Sequence, residues 1–206
     1  MDHAPPPPGI LIAIVGPSGV GKSSLCGHLL EHSDNLQLSI SFTTRDPRGN
    51  EQDGVDYWFV DEDAFMAKVA RGEFIEFARV HGNLYGTAID VVGEARGQGI
   101  DLLFDIDYQG LAQLKAAFPD AVGVMVVPPS MDALEERLRG RCTDPDEVIA
   151  SRLAFARTEL SQVDAFDYVV INDDFERAYR DIVSIYRAQR LTLLRQRAFV
   201  VDTLLS

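Results

Sequence analysis

The stretch GPSGVGKSS, at residues 16–24, constrains the fold of this chain more than any other feature. It follows the apolar run ILIAIV and leads into the amphipathic segment SSLCGHLLEH, an order that predicts a strand, a tight turn and a helix. Gly16, Gly21, Lys22 and Ser23 match the pattern G-x-x-x-x-G-K-[ST], whose glycines allow backbone N–H groups to face a phosphate. The stretch therefore predicts a phosphate-binding loop, and the alternative is a glycine-rich turn that ends in Lys-Ser by chance.

A nucleoside triphosphate and Mg²⁺ are the ligands that such a loop predicts. Lys22 is expected to meet the β and γ phosphates and to act in catalysis, while the Ser23 hydroxyl is expected to bind Mg²⁺. Asp105 ends the second apolar run, DLLFDID, and is the predicted second metal ligand, although strand-end aspartates are often only turn or cap residues. The residues expected to hold ATP in the loop are Gly16, Ser18, Gly19, Val20, Gly21, Lys22, Ser23 and Ser24.

Short apolar runs alternate with amphipathic segments along most of the chain. The runs at 10–16, 101–107, 122–128 and 168–172 predict strands of a parallel sheet covered by helices on both faces. Between the first two runs, about 40–90, LSISFTTR, DYWFV and FIEFARV predict an inserted mixed sheet with one helix. A charged helical segment covers about 131–160, and the tail at 173–206 is expected to be helical and to pack on the sheet.

Composition narrows the class of protein. With 206 residues, 46% of them hydrophobic, the chain is expected to form one domain after a disordered Pro-rich leader at 1–8, whose alternative is a polyproline ligand. A net charge of −13 argues against nucleic-acid or membrane partners. Cys26 and Cys142 are expected to be free thiols in a cytoplasmic protein. The four histidines show no spacing that we interpret as a metal site.

The inserted region contains two arginines in an acidic chain. Arg45 and Arg48 lie beside a Pro-Arg-Gly turn, with Tyr57 and the YGT stretch at 85–87 following. Clustered guanidinium groups and aromatic hydroxyls favour a site for a small phosphate. A solvated arginine pair on a hairpin fits the spacing equally well.

The chain resembles the guanylate kinase family. The resemblance rests on SFTTRDPRGNEQDGVDYWFV, GEFIEFARVHGNLYGT, LLFDIDYQG, VVPPS, RLRGR and YVVINDD, in this order, and extends from Gly9 to about Arg190. It implies an α/β fold with a three-layer P-loop core at 9–39, 92–130 and 160–206, a GMP-binding insertion at 40–91 and a helical lid at 131–159. Asn50 stands where the family usually has glycine, and we expect the turn to form with asparagine.

The resemblance also implies roles for individual residues. It assigns the GMP phosphate to Arg45, Arg48, Tyr57 and Tyr85, and the guanine base to Ser41, Glu76, Thr87 and Asp107. It assigns the transferring phosphoryl group to the lid arginines Arg137, Arg141 and Arg152, and a place near the adenine to Asn172. Without the resemblance, Glu76 would be interpreted as the polar face of a strand and the lid arginines as solvated ion pairs.

Three functions remain open at this point. The first, which the resemblance implies, is an enzyme of purine nucleotide metabolism that transfers the γ-phosphoryl group of ATP to GMP and dGMP. The second is a protein-interaction module with the same fold, which would not need Lys22 and Ser23 together with a complete guanine set. The third is a related kinase with a sugar-phosphate acceptor, which would not need Ser41, Glu76 and Thr87. The sequence favours the first.

Overall fold

The structure is a computed structural model that describes residues 7–80, 82–140 and 145–205. The strands in chain order are β1 (Leu11–Val15), β2 (Leu36–Leu38), β3 (Phe42–Thr43), β4 (Trp58–Phe59), β5 (Phe74–Val80), β6 (Asn83–Ala88), β7 (Asp101–Phe104), β8 (Val122–Val127) and β9 (Tyr168–Ile171). The α-helices are α1 (Lys22–Glu31), α2 (Glu62–Ala70), α3 (Ile89–Gly97), α4 (Tyr108–Ala117), α5 (Met131–Arg139), α6 (Asp146–Leu160), α7 (Phe175–Arg190) and α8 (Leu193–Phe199), with a short 3-10 helix at Val163–Ala165 and a π-helical turn at Val200–Leu204.

A five-stranded parallel sheet in the order β2-β7-β1-β8-β9 forms the centre of the fold. Alternate residues of β1 enter two separate apolar cores, because successive side chains of a strand point to opposite faces. Ile12 and Ile14 pack with α1 and α7, whereas Leu11 and Ala13 pack with α3 and α4. This arrangement confirms the predicted α/β class with a parallel sheet between two layers of helices.

A second, four-stranded sheet in the order β4-β3-β6-β5 lies in the inserted region. Its β5 and β6 form an antiparallel hairpin, and β3 pairs antiparallel with β6 and parallel with β4. Helix α2 covers this sheet through Phe65, which stacks on Phe74 at 4.6 Å between ring centroids. The predicted mixed sheet with one helix is therefore confirmed.

The four predicted core strands are confirmed as β1, β7, β8 and β9, while β2 was not predicted. The three residues of β2 are too few for periodicity to show. Helix α3 runs continuously across 91/92, where the sequence places the end of the insertion. The predicted division into core, insertion and lid therefore stays a prediction at that boundary.

Helix α7 packs on the sheet as predicted, whereas the large apolar side chains described beyond it are exposed. Leu193 and Leu194 of α8 are both 78% exposed.

Within the described residues, no helix combines the length and the hydropathy that a membrane span requires.

A buried polar cluster joins α7 to the start of the core. The Asp101 carboxylate, at the first residue of β7, accepts hydrogen bonds from the Ile10 backbone N–H at 2.7 Å and from the Tyr186 hydroxyl at 2.6 Å, and it pairs with Arg190. Burial and the Asp101 contact raise the pKa of Tyr186 to about 12, so the hydroxyl remains a donor at neutral pH. The cluster fixes α7 against the N-terminal edge of the sheet.

Replacing Tyr186 by phenylalanine should lower the free energy of unfolding by about 1.5 kcal/mol, because a hydrogen bond to a buried carboxylate is lost. Urea unfolding measures the change. Tyr168→Phe is the matched control, since its hydroxyl accepts from the Gln189 side chain at 3.0 Å on the exposed surface. An equal fall in unfolding free energy in the two variants would show that the buried bond to Asp101 stabilises the fold no more than an exposed tyrosine contact does.

Candidate active site

The loop between β1 and α1 has the geometry of an anion cradle. Gly19 and Gly21 have φ values of +90° and +97°, a backbone conformation that residues with a Cβ rarely adopt. Gly21 directly precedes the first residue of α1. A Cβ at Gly16 would lie 2.4 Å from the Val126 carbonyl oxygen, so the loop can sit this close to β8 only with glycine. The unpaired N–H groups at the start of α1 point to a site for an anion.

Lys22 and Asp105 form an ion pair at the mouth of this loop. The Lys22 Nζ lies 2.6 Å from Asp105 Oδ1, because β7 is the neighbour of β1 and Asp105 follows its last residue. Burial lowers the pKa of Lys22, but the charge and the hydrogen bond of Asp105 outweigh it and keep the pKa above its usual value. The side chains of Ser23 and Ser24 are exposed beside this pair. The site therefore contains a fixed positive charge, a carboxylate and two accessible hydroxyls.

Asn172 and Arg137 support the loop from behind. The buried Asn172 side chain donates to the Val20 carbonyl at 2.7 Å, and Arg137 donates to the Asn172 carbonyl at 2.8 Å. Leu138 of α5 also lies against Gly19, where a Cβ would approach it to 2.9 Å. Helix α5 is thus attached to the loop, and the Asn172 amide is engaged with the backbone of the loop.

The remaining lid arginines are placed only in part. Arg152 lies half-buried on α6. Arg141 lies outside the described residues, so its predicted role stays a prediction.

A second group of polar side chains converges between the two sheets. Thr87 donates to the Glu76 carboxylate at 2.5 Å, and the Ser41 hydroxyl lies 3.3 Å from the Thr87 hydroxyl. The β5–β6 register places Glu76 opposite Thr87. All three side chains are buried, at 9% exposure or less. Asp107 lies near this group, because its carboxylate accepts a hydrogen bond from the Gly110 N–H and Gly110 lies against the Glu76 carboxylate.

Glu76 is held in an unusual electrostatic state. Burial raises its pKa to about 7; the hydrogen bond from Thr87 opposes this shift, and the nearby Asp107 carboxylate adds to it. Gly110 allows the close approach, since a Cβ there would lie 2.9 Å from a Glu76 carboxylate oxygen. Asp107 caps α4 by accepting from the Gly110 N–H at 2.8 Å. Buried carboxylates with a raised pKa are typical of functional sites.

Arg45 is the centre of the third group. Its guanidinium is buried, donates to Glu51 at 2.9 Å and lies 5.3 Å from the centroid of the Tyr57 ring. The Glu51 hydrogen bond raises the pKa of Arg45 further, so the side chain stays charged. Tyr85 also contacts Tyr57, with 6.0 Å between ring centroids. Arg45 is therefore a buried, paired guanidinium rather than a solvated one, and a charged guanidinium can form strong hydrogen bonds to a phosphate.

Arg48 lies at the rim of this group with an exposed side chain. Its backbone N–H donates to Glu51 at 2.8 Å, and the Glu51 N–H donates to the Arg48 carbonyl at 3.0 Å. The turn that contains Asn50 therefore forms, as predicted, with a left-handed φ of +56° at Gly49.

The phosphate loop and the buried polar group meet at the segment that follows β7. Asp105 of this segment pairs with Lys22, and Asp107 caps α4, whose Gly110 lies against the Glu76 carboxylate. This segment therefore brings the loop and the buried carboxylate near each other.

Two further acidic residues that interact with these groups were not predicted. Glu51 fixes Arg45 and closes the Arg48 turn, and a carboxylate six residues after an arginine gives little signal in a sequence this acidic. Glu159, at the end of α6, is only 6% exposed; burial raises its pKa, whereas the Lys22 charge lowers it. Glu159 is far from Lys22 in the sequence, so no local pattern could have identified it.

Comparison with known proteins places the chain in one family. The family model described as guanylate kinase matches residues 9–189. A guanylate kinase from Aromatoleum aromaticum is 49% identical over 189 residues, covering 92% of this chain and 93% of that protein. One from Syntrophotalea carbinolica is 50% identical over 199 residues, covering 94% and 95%. The crystal structure of guanylate kinase from Anaplasma phagocytophilum superposes with a TM-score of 0.76 at 32% identity, with 96% of each chain covered.

Proposed function

The chain belongs to the guanylate kinase family, and from this premise we propose that it transfers the γ-phosphoryl group of ATP to GMP, giving ADP and GDP. One observation carries the proposal at the level of residues. The segment after β7 joins the Lys22–Asp105 pair of the phosphate loop to the buried Ser41–Thr87–Glu76 chain of hydrogen bonds, because Gly110 of α4 lies against Glu76. The Lys22–Asp105 pair suits binding of the phosphates of ATP. The buried hydrogen-bond chain suits a base with hydrogen-bond donors and an acceptor along one edge.

The base pocket matches guanine and opposes adenine. Guanine carries N1–H and a 2-amino group side by side, and the ionised Glu76 can accept hydrogen bonds from both. The Ser41 hydroxyl can donate to O6, and the Thr87 hydroxyl would do so by turning its hydrogen from Glu76 towards the base, with Asp107 as a further acceptor. Adenine would place an N1 lone pair against the buried carboxylate, and such mismatches in a closed site can reduce kcat/KM by about 10⁴.

Arg45, Arg48, Tyr57 and Tyr85 would hold the phosphate of GMP. Glu51 keeps the buried guanidinium of Arg45 fixed before substrate arrives, so little ordering is required on binding. Arg48 at the exposed rim would join the phosphate from the other side.

The residues beside the loop fit Mg²⁺. An exposed serine hydroxyl and a carboxylate are hard oxygen donors, the class that this ion prefers, and Ser23 and Asp105 supply them at the mouth of the loop. When bound with ATP, the ion would neutralise charge on the β and γ phosphates. Lys22, now paired with Asp105, would turn towards the same phosphates.

The reaction needs alignment and charge neutralisation, but no general base, because the attacking oxygen already belongs to an anionic phosphate. Lys22 would contact the γ-phosphoryl group while it is transferred. From the lid, the same group would be approached by Arg137, Arg141 and Arg152. Asn172 would fix the loop beneath ATP, near the adenine, through its bond to Val20. Residues 40–91 and 131–159 would enclose the two nucleotides and exclude water, which otherwise hydrolyses ATP.

A coupled assay of ADP formation tests the function, with ATP and each of GMP, dGMP, AMP, CMP and UMP as acceptor. GMP should be used best and dGMP should also be accepted, since none of the proposed base contacts involves the 2′-hydroxyl. If none of these acceptors is phosphorylated, the interaction module is favoured over the enzyme. Equal use of AMP would contradict the proposed base pocket.

Replacing Arg45 by alanine should weaken GMP binding about 10- to 100-fold, because a charge-assisted contact is lost. ATP binding should change little, since Arg45 lies on the acceptor side of the cleft. Isothermal titration calorimetry with each nucleotide separates the two effects. Arg71→Ala is the control, because Arg71 pairs with Glu73 on the exposed surface of the same insertion. Equal losses for GMP and ATP would place the acceptor phosphate elsewhere.

A further inference from the structure

The last turn of α1 carries the segment HLLEH at residues 28–32, at the opposite end of the helix from the phosphate loop. The spacing of these histidines in the sequence did not predict a metal site. In the structure, His28, Glu31 and His32 each place one potential ligand atom within 4.8 Å of the others, the only such group of three or more that the described residues contain. The helical spacing brings them together, since residues three and four apart share one face.

The two imidazoles are held in place by their surroundings. The His32 Nδ1 lies 2.9 Å from the His28 carbonyl oxygen, and because that oxygen can only accept, Nδ1 carries the hydrogen. In the neutral ring this leaves Nε2 with a free lone pair, the arrangement commonly found in metal-binding histidines. The His28 ring packs edge-on against Tyr179 of α7 at 4.5 Å between centroids, which fixes its direction.

The surroundings favour a cation and leave it room. The backbone carbonyls at the end of α1 present the negative end of the helix dipole. The Glu31 carboxylate lies 4.0 Å from His28 Nδ1, with a side chain that is 76% exposed. A metal ion can therefore approach from solvent and keep water in its remaining coordination positions.

We propose that His28, Glu31 and His32 form a binding site for one divalent transition-metal ion, with Zn²⁺ as the expected occupant. Two imidazole nitrogens and one carboxylate are a ligand set that Zn²⁺ uses with water as the fourth ligand. Mg²⁺ and Ca²⁺ prefer sites made of oxygen donors alone and should not compete. This site is separate from the proposed Mg²⁺ site, which lies at the other end of α1.

The ion would hold Glu31 and His32 to His28, whose ring packs on α7. His28 contacts Tyr179 and lies 5.7 Å from the ring centroid of Phe175, so binding should stiffen the end of α1 against α7. Because the ion binds the folded helix and not the unfolded chain in this geometry, it should raise the melting temperature.

Isothermal titration calorimetry of the full chain, freed of metal with a chelator, tests the proposal with Zn²⁺ as the probe. One Zn²⁺ per chain should bind, excess Mg²⁺ should not displace it, and Zn²⁺ should raise the melting temperature. The double variant His28→Gln/His32→Gln should lose this binding, and Glu31→Gln should weaken it by at least about tenfold. The single variant His32→Gln, at an exposed position, gives the same test if the double variant does not fold.

The matched control is His3→Gln/His81→Gln, which removes the other two histidines of the chain and should bind Zn²⁺ as the unmodified chain does. The proposal is overturned if the chain does not bind Zn²⁺. It is also overturned if the His28/His32 variants bind Zn²⁺ as tightly as the control, or if the control loses binding to the same extent.

Discussion

Replacing Lys22 by methionine should lower kcat by about 10³-fold while leaving GMP affinity nearly unchanged. Methionine keeps the length of the side chain but removes the charge that neutralises the transferred phosphoryl group, and single contacts of this kind are worth about 10²- to 10⁵-fold. The fold should survive, because Asp105, its partner at 2.6 Å, has a side chain that is 40% exposed and can be solvated. Steady-state kinetics with ATP and GMP, and calorimetry with GMP, measure the two effects.

Lys68→Met provides a close match for this experiment. Lys68 pairs with Glu73 at 3.0 Å, and its side chain is 27% exposed, against 22% for Lys22. Both variants therefore lose one partly buried lysine charge from one ion pair, but only Lys22 lies in the phosphate loop. A similar fall in kcat for both would attribute the loss to the fold. Near-normal turnover of Lys22→Met would contradict the assignment of residues 16–24 as the loop that binds the phosphates of ATP.

Much of the fold could be predicted because its strands are buried on both faces. Parallel strands in that environment become continuous apolar runs, and β1, β7, β8 and β9 are visible for this reason. The exposed end of the tail was not predicted, since the apolar residues of α8 suggest burial by composition alone. Packing partners decide exposure, and the sequence does not show that α7 and not α8 contributes to the core on that face of the sheet.

The site could be predicted where a chemical role fixes the residue type. Lys22 and Ser23 follow from the phosphate loop, whereas charge clustering left Arg45 open between a phosphate site and a solvated pair until the family resemblance assigned it to GMP. Glu76 was assigned only through the family resemblance, because a glutamate in a strand is normally solvated. Its environment depends on Thr87 and Gly110, which the chain brings close only by folding. The same limit explains why Glu51, Glu159 and the histidine pair at the end of α1 were not identified.

Replacing Glu76 by glutamine should lower kcat/KM for GMP by about 30- to 1,000-fold, or roughly 2–4 kcal/mol. The glutamine amide offers one acceptor to guanine, but its NH₂ group opposes one of the guanine donors. AMP gains nothing from the carboxylate, so its kcat/KM should fall much less and the preference for GMP should shrink. Glu73→Gln, three residues earlier on the exposed side, should leave the preference unchanged.

The raised pKa of Glu76 adds a pH dependence that distinguishes reading of the base from a purely structural role. With a pKa of about 7, the free protein holds Glu76 mostly protonated at pH 6, and a protonated carboxyl cannot accept both guanine donors. The ratio of kcat/KM for GMP between the unmodified chain and Glu76→Gln should therefore fall about tenfold from pH 8 to pH 6. Taking this ratio cancels the titration of the GMP phosphate, which both proteins share.

Stability should change in the opposite sense over the same pH range. Because the folded chain holds the Glu76 proton more tightly than the unfolded chain, the unmodified protein loses stability as the pH rises towards about 7. Glutamine cannot ionise, so the unfolding free energy of Glu76→Gln relative to the unmodified chain should be higher at pH 8 than at pH 5. If the preference for GMP and both pH dependences are unchanged in Glu76→Gln, then Glu76 neither binds guanine nor carries the buried charge, and the proposed base pocket is wrong.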